Sequence, residues 1–342
     1  MLNQFFVSEL NLINNANVIK QNNPNSLICA MVKANAYGVG LKMVVKTLSS
    51  HVDFFGVATY EEACKTANYT NKKILIVGPL CKKRKYSTRF SYSCHSVKDI
   101  ITLSKLNLGL NVHLKINSGM NRYGFSSKKD LYQALNIIKK SKLHLEGVFT
   151  HFATTDHFVE EQMKVFKKFT NLIKEFGYKP IIHVDNSAVC KIKNHHKDMV
   201  RIGFDLYNNT TNNFKQVVTI KSRVVQVNEV KRGDLVGYSY RHVSECNKKI
   251  AVIPVGYADG FSCLYIGGYL KINNYKCKVL NVCMDCFMLD ITGTDIKKGD
   301  AIFILDESNS LSTYSKFSNL SEYEVMCKFS HIRASHKLVS IS

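Results

Sequence analysis

Eight short apolar runs alternate with segments of helical periodicity through the first two thirds of the chain. Apolar runs of this length, separated by helical segments, are typical of repeated β-α units that build a parallel sheet. Eight such units close naturally into a (β/α)8 barrel, and an open doubly wound sheet is the alternative. The pattern therefore predicts an α/β protein with an N-terminal TIM-type barrel. We place its strands at residues 26–33, 53–58, 72–78, 90–94, 110–116, 145–151, 180–185 and 199–203, and its helices at 9–21, 41–50, 60–68, 96–106, 128–140 and 160–176, with short turns after the third and seventh strands.

The residues after about position 215 have a different pattern, in which short β-type runs are separated by turns rich in Gly, Asn and Lys. Such spacing favours a mainly-β domain. We therefore expect a barrel domain over residues 1–214 and a mainly-β C-terminal domain over residues 215–342. The predicted strands of the second domain are the runs VVTIKSRVVQV, DLVGYSY, KIAVIPVGY, YLKI, KCKVLNV, FMLDIT and AIFIL.

Charge and hydropathy limit the classes of partner. The chain of 342 residues carries 47 basic and 26 acidic residues, which gives a net charge of +21. The basic residues are mostly dispersed lysines, with one dense cluster at 82–86, so we expect no specific nucleic-acid function. The apolar stretches are shorter than a membrane span and the first residues lack a basic leader, which predicts a cytoplasmic protein without a membrane partner.

The cysteines favour free thiols over a disulfide scaffold. The chain has 11 of them, an odd number scattered along its length, as is typical of proteins in a reducing compartment. Cys283 and Cys286 form a lone C-x-x-C. Because no second pair and no histidine lies at ligand spacing, we predict no metal site.

Polar side chains lie at the ends of several predicted barrel strands. The active site of a β/α barrel lies at the carboxyl ends of its strands, so these residues are the first candidates for chemistry. A lysine at such a position often only extends toward solvent. A lysine buried among other cations has a lowered pKa and can form a Schiff base with a carbonyl cofactor. The candidates are Lys33, Lys115, Arg122, His151 and Arg201.

The loops after the seventh and eighth predicted strands suggest the form of the ligand. Barrels often bind phosphate with these two loops, which here contain Asn186-Ser187 and Gly203-Phe204. A phosphorylated aldehyde would match both these loops and a reactive Lys33.

Nine stretches of the sequence carry a resemblance to a known family. They are VKANAYGVG (32–40), HLKINSGMNRYGF (113–125), FTHFATTD (149–156), HVDNSA (183–188), VRIGFDLY (200–207), LVGYSY (235–240), PVGYADGF (254–261), NVCMDCFMLDIT (281–292) and YEV (323–325). In this order along the chain they resemble the bacterial alanine racemases, which are fold-type III pyridoxal phosphate enzymes. The resemblance extends over nearly the whole length and implies the barrel and the β domain already expected.

The resemblance implies a cofactor site for pyridoxal 5'-phosphate. Lys33 would bind the cofactor covalently, and Arg201 would face its pyridine nitrogen, with His151 supporting the arginine. Because a guanidinium keeps its proton, that nitrogen should stay unprotonated, which limits side reactions such as transamination. The residues that match the family's phosphate contacts are Tyr37, Ser187, Gly203, Phe204 and Tyr323.

Racemisation requires a base on each face of the α-carbon. The resemblance assigns these roles to Lys33 and Tyr238. A free phenol titrates near pH 10, so a tyrosine base needs a positive environment. In the family this tyrosine comes from the partner subunit, which implies a homodimer with shared active sites.

The resemblance also implies how the substrate is bound. Arg122 and the backbone near Met284 would bind its carboxylate, and Lys115 matches a lysine that is carbamylated in many members. The residues that match the entrance and substrate pocket contributed by the partner are Tyr257, Met284 and Asp285.

The leading hypothesis is an enzyme that interconverts L- and D-alanine and supplies D-alanine for peptidoglycan. A racemase of the same fold with broader specificity and a non-catalytic pyridoxal phosphate-binding protein are the alternatives. The chain departs from the family's usual motifs at Val39, at Asn117-Ser118 and at Asn208, and none of these positions is catalytic.

Overall fold

The computed structural model describes residues 2–81, 85–154, 158–184, 198–211, 213–238 and 242–340. The chain divides into two compact units. The barrel unit contains Ile13–Ala36 and Leu41–Leu206, and the second unit contains Met1–Leu12, Tyr37–Gly40 and Tyr207–Ser342. The expected domain boundary at residue 214 stays a prediction.

The chain begins with β1 (Gln4–Ser8) and α1 (Glu9–Asn22), and eight parallel strands then form the sheet of the barrel unit. Their residues are buried in near-continuous runs, as is usual for parallel strands covered on both faces. This confirms the barrel expected from the sequence. The strands are β2 (Leu27–Met31), β3 (Phe54–Val57), β4 (Lys73–Ile76), β5 (Phe90–Cys94), β6 (Asn111–Lys115), β7 (His144–Phe149), β8 (Ile181–His183) and β9 (Met199–Ile202), in the spatial order β8-β7-β6-β5-β4-β3-β2-β9.

Asp198 nearly closes this sheet into a barrel. Its N–H donates to the carbonyl of Ile182 at 3.0 Å, and its carboxylate accepts the N–H of Ile182 at 2.8 Å. Its own carbonyl accepts the N–H of Leu27 at 2.8 Å. Because Asp198 directly precedes β9, its bonds to Ile182 link β8 and β9, the two edge strands of the sheet.

The helices of the barrel unit begin where the sequence offers capping residues. Thr59 forms a capping box with Glu62, and Ser96 and Ser127 each accept a backbone N–H from the first helical turn. Between β4 and β5 the described residues contain no helix, in agreement with the expected turn. The helices are α2 (Lys33–Tyr37), which is left-handed, α3 (Leu41–Leu48), α4 (Tyr60–Ala67), α5 (Val97–Ser104), α6 (Lys128–Lys139) and α7 (Phe158–Glu175).

The second unit is mainly β, as predicted, and contains two antiparallel or mixed sheets with the orders β16-β10-β1-β17 and β11-β12-β15-β14-β13. Its strands are β10 (Val218–Arg223), β11 (Gln226–Val230), β12 (Lys248–Ile253), β13 (Tyr269–Ile272), β14 (Tyr275–Val282), β15 (Phe287–Asp290), β16 (Ala301–Leu305) and β17 (Ser335–Val339), with the helices α8 (Leu311–Ser318) and α9 (Glu322–Lys328).

Three details of the second unit differ from the sequence prediction. The run VVTIKSRVVQV is two strands in different sheets, because the chain leaves one sheet after Arg223 and joins the other at Gln226. Within the described part of DLVGYSY, only Leu235 makes a β-bridge, to Val243. The strand β1 and the helices α8 and α9 were not predicted. No helix in the described ranges combines the length and apolar character that a membrane crossing demands.

Candidate functional site

Lys33 follows β2 at the carboxyl end of the barrel sheet and begins an unusual turn. Residues 34–37 have φ values between 53 and 56°, the left-handed region that residues other than glycine rarely adopt. This conformation costs ~1–2 kcal/mol per residue, so contacts must hold it. Glu62 of α4 provides one of them, because its carboxylate accepts the N–H of Ala34 at 2.6 Å, and the same carboxylate accepts the N–H of Ala58 at 2.7 Å.

Lys33 shares this end of the barrel with three other cations. Burial lowers the pKa of Lys115 to about 8, and the charges of Arg122, Arg201 and Lys33 lower it further in the same direction. Burial likewise lowers the pKa of His151 to about 3, with contributions from all four cations. Among the described residues, every charged group that acts on these two side chains is therefore cationic. The structure thus brings together five of the predicted site residues in a cluster suited to an anionic ligand.

Two polar atoms in and beside this cluster, Nζ of Lys115 and Nε2 of His95, have no hydrogen-bond partner among the described residues. Lys115 is buried, and its Nζ lies 5.3 Å from the ring centroid of Tyr123 without a hydrogen bond or ion pair. The ring of His95 stacks on Tyr123 at 5.1 Å, and its Nε2 is buried with no hydrogen-bond partner. Burial, reinforced by the charge of Lys115, lowers the pKa of His95 to about 4. These two unsatisfied atoms lie among cations, so a bound anionic molecule with polar atoms could supply their missing partners.

Arg201 is held by a histidine that the sequence analysis did not choose. Its Nη1 donates to Nδ1 of His183 at 2.7 Å and to the carbonyl of His183 at 2.9 Å, and its Nη2 donates to the carbonyl of Thr150 at 2.8 Å. His151 was expected to support the arginine, yet its ring makes no hydrogen bond to Arg201 in the structure. His183 is the first residue of the motif HVDNSA, but the motif does not indicate that its ring hydrogen-bonds Arg201.

The predicted phosphate contacts of the barrel unit lie after β9 and after β8. Gly203 and Phe204 are buried at the carboxyl end of β9, where the carbonyl of Gly203 accepts the N–H of Leu206 at 3.0 Å and starts a 3₁₀ turn. Ser187 lies outside the described residues.

The two predicted phosphate-binding tyrosines belong to the second unit. The buried ring of Tyr37 lies 5.4 Å from that of Tyr207 and 6.3 Å from that of Tyr323. Burial raises the pKa of Tyr37 well above its ordinary value, so its hydroxyl stays protonated and can donate a hydrogen bond. Tyr323 is 44 % exposed at the start of α9.

Tyr238 extends from a loop of the second unit whose backbone is fixed. Asn281 of β14 donates to the carbonyls of Val236 and Tyr238 at 2.8 and 3.0 Å. The preceding Gly237 has a φ of +72°, and a Cβ there would lie 2.7 Å from Cε of Met288. Tyr238 itself is 70 % exposed.

Met284 and Tyr257 occupy neighbouring turns of the same unit. Met284 lies in the turn between β14 and β15, which is closed by the Cys283 N–H donating to the carbonyl of Cys286 at 2.7 Å. The carbonyl of Cys283 accepts the N–H of Tyr257 at 3.0 Å, and that of Met284 accepts the N–H of Ala258 at 3.1 Å. Both predicted pocket residues are about half exposed.

Asp285 is held by Arg333, which the sequence analysis missed. Nη1 of Arg333 donates to Asp285 at 2.7 Å, while its Nε and Nη2 bind the buried carboxylate of Asp259 at 2.7 and 2.8 Å. Burial raises the pKa of Asp259, but the hydrogen bonds from Arg333 and the Gly256 N–H outweigh it and lower the value below the ordinary one. Arg333 stands outside every matched motif, so only the structure identifies it.

A parallel eight-stranded barrel with a lysine and a cationic cluster at the carboxyl ends of its strands defines an enzyme of the β/α-barrel class that acts on an anionic ligand. Two family models match the chain, the N-terminal domain of alanine racemase over residues 7–210 and the C-terminal domain over residues 217–336. The chain belongs to the alanine racemase family, whose members are pyridoxal phosphate-dependent isomerases.

Individual relatives agree with this assignment. The alanine racemase of Fusobacterium nucleatum is 34 % identical over 327 residues, which cover 88 % of this chain and 90 % of the relative. The structure of the Clostridium difficile enzyme matches with a TM-score of 0.90 at 26 % identity, covering 99 % of this chain and 96 % of that chain. The Bartonella henselae enzyme, solved with covalently bound pyridoxal phosphate, shares the fold with a TM-score of 0.91 at 21 % identity, covering 99 % and 100 % of the two chains.

Proposed function

We propose that this protein interconverts L- and D-alanine with pyridoxal phosphate bound at Lys33. The observation that carries the proposal is the presentation of Lys33 beside a strained turn and a cluster of Lys115, Arg122 and Arg201, in which the charges contributed by the described residues are all positive. A phosphorylated carbonyl compound fits both features, since lysine binds its carbonyl carbon and the cations attract its phosphate. When bound, the cofactor supplies an electron sink for the charge left at the α-carbon after deprotonation.

The residues proposed to hold the cofactor have distinct roles. Lys33 would bind it covalently and Arg201 would face its ring nitrogen, with His151 as the predicted support of Arg201 in the same cluster. The geometry around Arg201 supports its role, because three hydrogen bonds to the protein fix the guanidinium in the barrel core. The proposed phosphate-binding residues are Tyr37, Ser187, Gly203, Phe204 and Tyr323.

Lys33 and Tyr238 are the proposed bases on the two faces of the α-carbon. Each moves a proton at one atom, Nζ of Lys33 or Oη of Tyr238. Removal on one face followed by return on the other inverts the centre, whereas return on the same face restores the starting enantiomer.

Arg122, Met284, Tyr257 and Asp285 are the proposed substrate-binding residues. Arg122 is exposed and has no ion-pair partner among the described residues, so its guanidinium is available for a carboxylate. Lys115 is the proposed carbamylation site: its pKa of about 8 raises the fraction of neutral amine, the form that reacts with carbon dioxide.

We propose a homodimer in which Tyr238 reaches the partner's site. The second unit exposes apolar and aromatic side chains, Tyr238 among them, and exposed apolar surface is typical of protein interfaces. The exposed residues include Leu235, Tyr238, Val243, Tyr257, Leu264 and Met284. Such an enzyme would act in the cytoplasm and supply D-alanine to peptidoglycan synthesis.

The first experiment measures D-alanine formed from L-alanine by the holoenzyme, with Lys33→Ala and Tyr238→Phe variants. Lys42→Ala and Tyr132→Phe are the matched controls, since both replace side chains on surface helices. We expect activity in the wild type and in both control variants. We expect none in Lys33→Ala or in Tyr238→Phe. A protein that binds the cofactor but racemises serine or lysine instead would have broader specificity, and one that racemises nothing would be a binding protein.

Mixing the two inactive variants tests the shared site. A heterodimer of Lys33→Ala and Tyr238→Phe subunits has one site with both native residues, so random exchange restores about a quarter of the wild-type activity. If each subunit's site were self-contained, mixing would restore nothing.

A further inference from the structure

A chain of four buried side chains, here called the polar chain, extends from Arg201 through the interior of the barrel. It consists of Arg201, His183, His113 and Glu146, contributed by β9, β8, β6 and β7. Nδ1 of His183 lies 2.7 Å from the guanidinium, its Nε2 lies 2.8 Å from Nδ1 of His113, and Nε2 of His113 lies 3.0 Å from the carboxylate of Glu146. Both histidines are fully buried.

The direction of every hydrogen bond in the polar chain is determined by Arg201. A guanidinium only donates, so Nδ1 of His183 must accept and its proton must sit on Nε2. That proton is donated to Nδ1 of His113, whose own proton therefore sits on Nε2 and is donated to Glu146. The result is two neutral imidazoles in one fixed tautomer between a cation and a carboxylate.

The surroundings favour these charge states. Burial lowers the pKa of His113 and lowers that of His183 far below its ordinary value. Among the described residues, the charged groups that act on the two rings are Arg201, Glu146 and Lys73, and His113 also acts on His183. Burial raises the pKa of Glu146, but hydrogen bonds from His113, Lys73 and a serine outweigh it and lower the value to about 2.

Two features of the backbone make room for the polar chain. The pairing of β6 with β7 shifts register after Val112, so that Val112 faces Leu145 and His113 faces Gly147, which leaves Glu146 as the extra residue of a bulge. Bulges commonly re-aim a side chain near a functional site. A Cβ at Gly147 would lie 2.2 Å from Nδ1 of His113, so only glycine permits the contact between the histidines.

We infer that Glu146 is the counter-charge of Arg201 and that His113 and His183 transmit its influence as positioning residues. The inference rests on the proposed function, in which Arg201 faces the ring nitrogen of the cofactor. The carboxylate makes the guanidinium a weaker hydrogen-bond donor toward that nitrogen, and this restrains transamination, in which alanine leaves as pyruvate and its amino group stays on the cofactor. The acidic end of the polar chain opens to solvent through Lys73, whose Nζ lies 2.6 Å from Glu146 and whose side chain is 58 % exposed.

The first test reads the tautomers directly by ¹⁵N NMR of the full-length holoenzyme with labelled histidine. An N–H···N bond between two rings gives a ¹⁵N–¹⁵N coupling that identifies His113 and His183 among the 12 histidines. We expect both rings to carry their proton on Nε2 and to be neutral at pH 7, because burial lowers the pKa of each. A ring protonated on Nδ1, or a charged ring at pH 7, would overturn the inference even if the enzyme racemises alanine.

The second test changes the charge of the polar chain at its acidic end. Glu146→Gln keeps the shape of the side chain and one hydrogen-bond acceptor but removes its negative charge. A unit charge roughly 10 Å from the guanidinium, at an effective dielectric constant of about 20, changes an equilibrium constant at the guanidinium about tenfold. We expect pyruvate formed per D-alanine to rise about tenfold. Lys73→Met removes the opposite charge and should leave this ratio unchanged or lower it, whereas a purely structural role would raise it in both variants.

The outcomes separate the inference from the proposed function. A wild-type protein that does not racemise alanine contradicts the function, while the NMR spectrum still decides the arrangement of the polar chain. An unchanged pyruvate ratio in Glu146→Gln, with racemisation intact, would contradict the counter-charge role alone. If Glu146→Gln does not fold, Lys73→Met and the wild-type spectrum still decide.

Discussion

Replacing Glu62 tests whether the left-handed turn after Lys33 must be held from a neighbouring helix. The carboxylate accepts the N–H groups of Ala34 at 2.6 Å, Ala58 at 2.7 Å and Thr59 at 3.3 Å. A hydrogen bond to a charged group contributes ~1.5–3 kcal/mol, and the lower value applies here because the Ala34 contact is exposed to water. The two short bonds then make Glu62→Ala less stable by ~3 kcal/mol, and Glu62→Gln, which keeps one acceptor, by ~1.5 kcal/mol.

The loss should appear in cofactor binding as well as in unfolding. The left-handed conformation of residues 34–37 is strained, and without the Ala34 contact it loses one of the interactions that stabilise it. If ~1.5 kcal/mol of support is lost there, the fraction of molecules that present Lys33 correctly falls, and the apparent Kd for pyridoxal phosphate rises about tenfold.

Urea unfolding followed by circular dichroism and a cofactor titration followed by absorbance measure the two effects. The matched control is Asp130→Asn, because Asp130 occupies the same third helical position in α6 and its carboxylate makes no hydrogen bond among the described residues. A Glu62→Ala protein with a Kd within twofold of the wild type would refute the reasoning. So would an Asp130→Asn protein that loses as much affinity.

Three further substitutions test other contacts. Gly147→Ala would place a Cβ 2.2 Å from the ring of His113 and should lower the unfolding free energy, measured in urea titrations, by ~1–3 kcal/mol. In the control Gly109→Ala the new Cβ meets only an atom 3.9 Å away, so the unfolding free energy should change by less than ~0.5 kcal/mol. Arg333→Ala leaves the buried carboxylate of Asp259 without its partner and should lower the unfolding free energy at pH 7. Because the pKa of Asp259 is lowered, calorimetry should find this difference shrinking as the pH falls below about 4. Lys115 has a pKa of about 8, below its ordinary 10.5, so the fold bears a protonated, unpaired lysine below pH 8 and loses this penalty as the pH rises. Lys115→Met should therefore stabilise the cofactor-free protein by ~1–2 kcal/mol at pH 7 in carbon dioxide-free buffer. The difference in unfolding free energy between variant and wild type should disappear between about pH 8 and 10.5. A difference that stays constant with pH would contradict the assigned pKa.

The sequence was sufficient for the barrel because each β-α unit is local. A buried apolar run followed by a capped amphipathic segment identifies its own strand and helix, and all eight strands lie where they were predicted. The strand β1 was missed because its pairing is non-local: Phe5 pairs with Ile220 and with His336, and nothing near residue 5 in the sequence indicates either partner.

The candidate site was predictable in its residue types but not in its contacts. His183 ends β8 and His151 follows β7 by two residues, and only side-chain geometry shows that His183 is the one hydrogen-bonded to Arg201. Glu146 gave no functional signal at all, because the bulge that turns it toward His113 is a register shift between two strands. The left-handed turn was equally invisible, since residues 34–37 contain no glycine to indicate positive φ.

The two unfavourable features of the barrel unit lie at the same end of the sheet. The strained turn follows Lys33, and the cluster around Lys115 gathers like charges that lower its pKa. Neither feature stabilises the protein without a ligand, so both are retained at a cost in folding free energy. An anionic cofactor that bonds to Lys33 offsets this cost only when bound, and changes that relieve the strain or remove a cation should therefore stabilise the free protein while weakening cofactor binding. A substitution that raises the stability of the free protein and lowers its affinity for the cofactor identifies a residue retained for function. A substitution that disturbs ordinary packing lowers both stability and affinity.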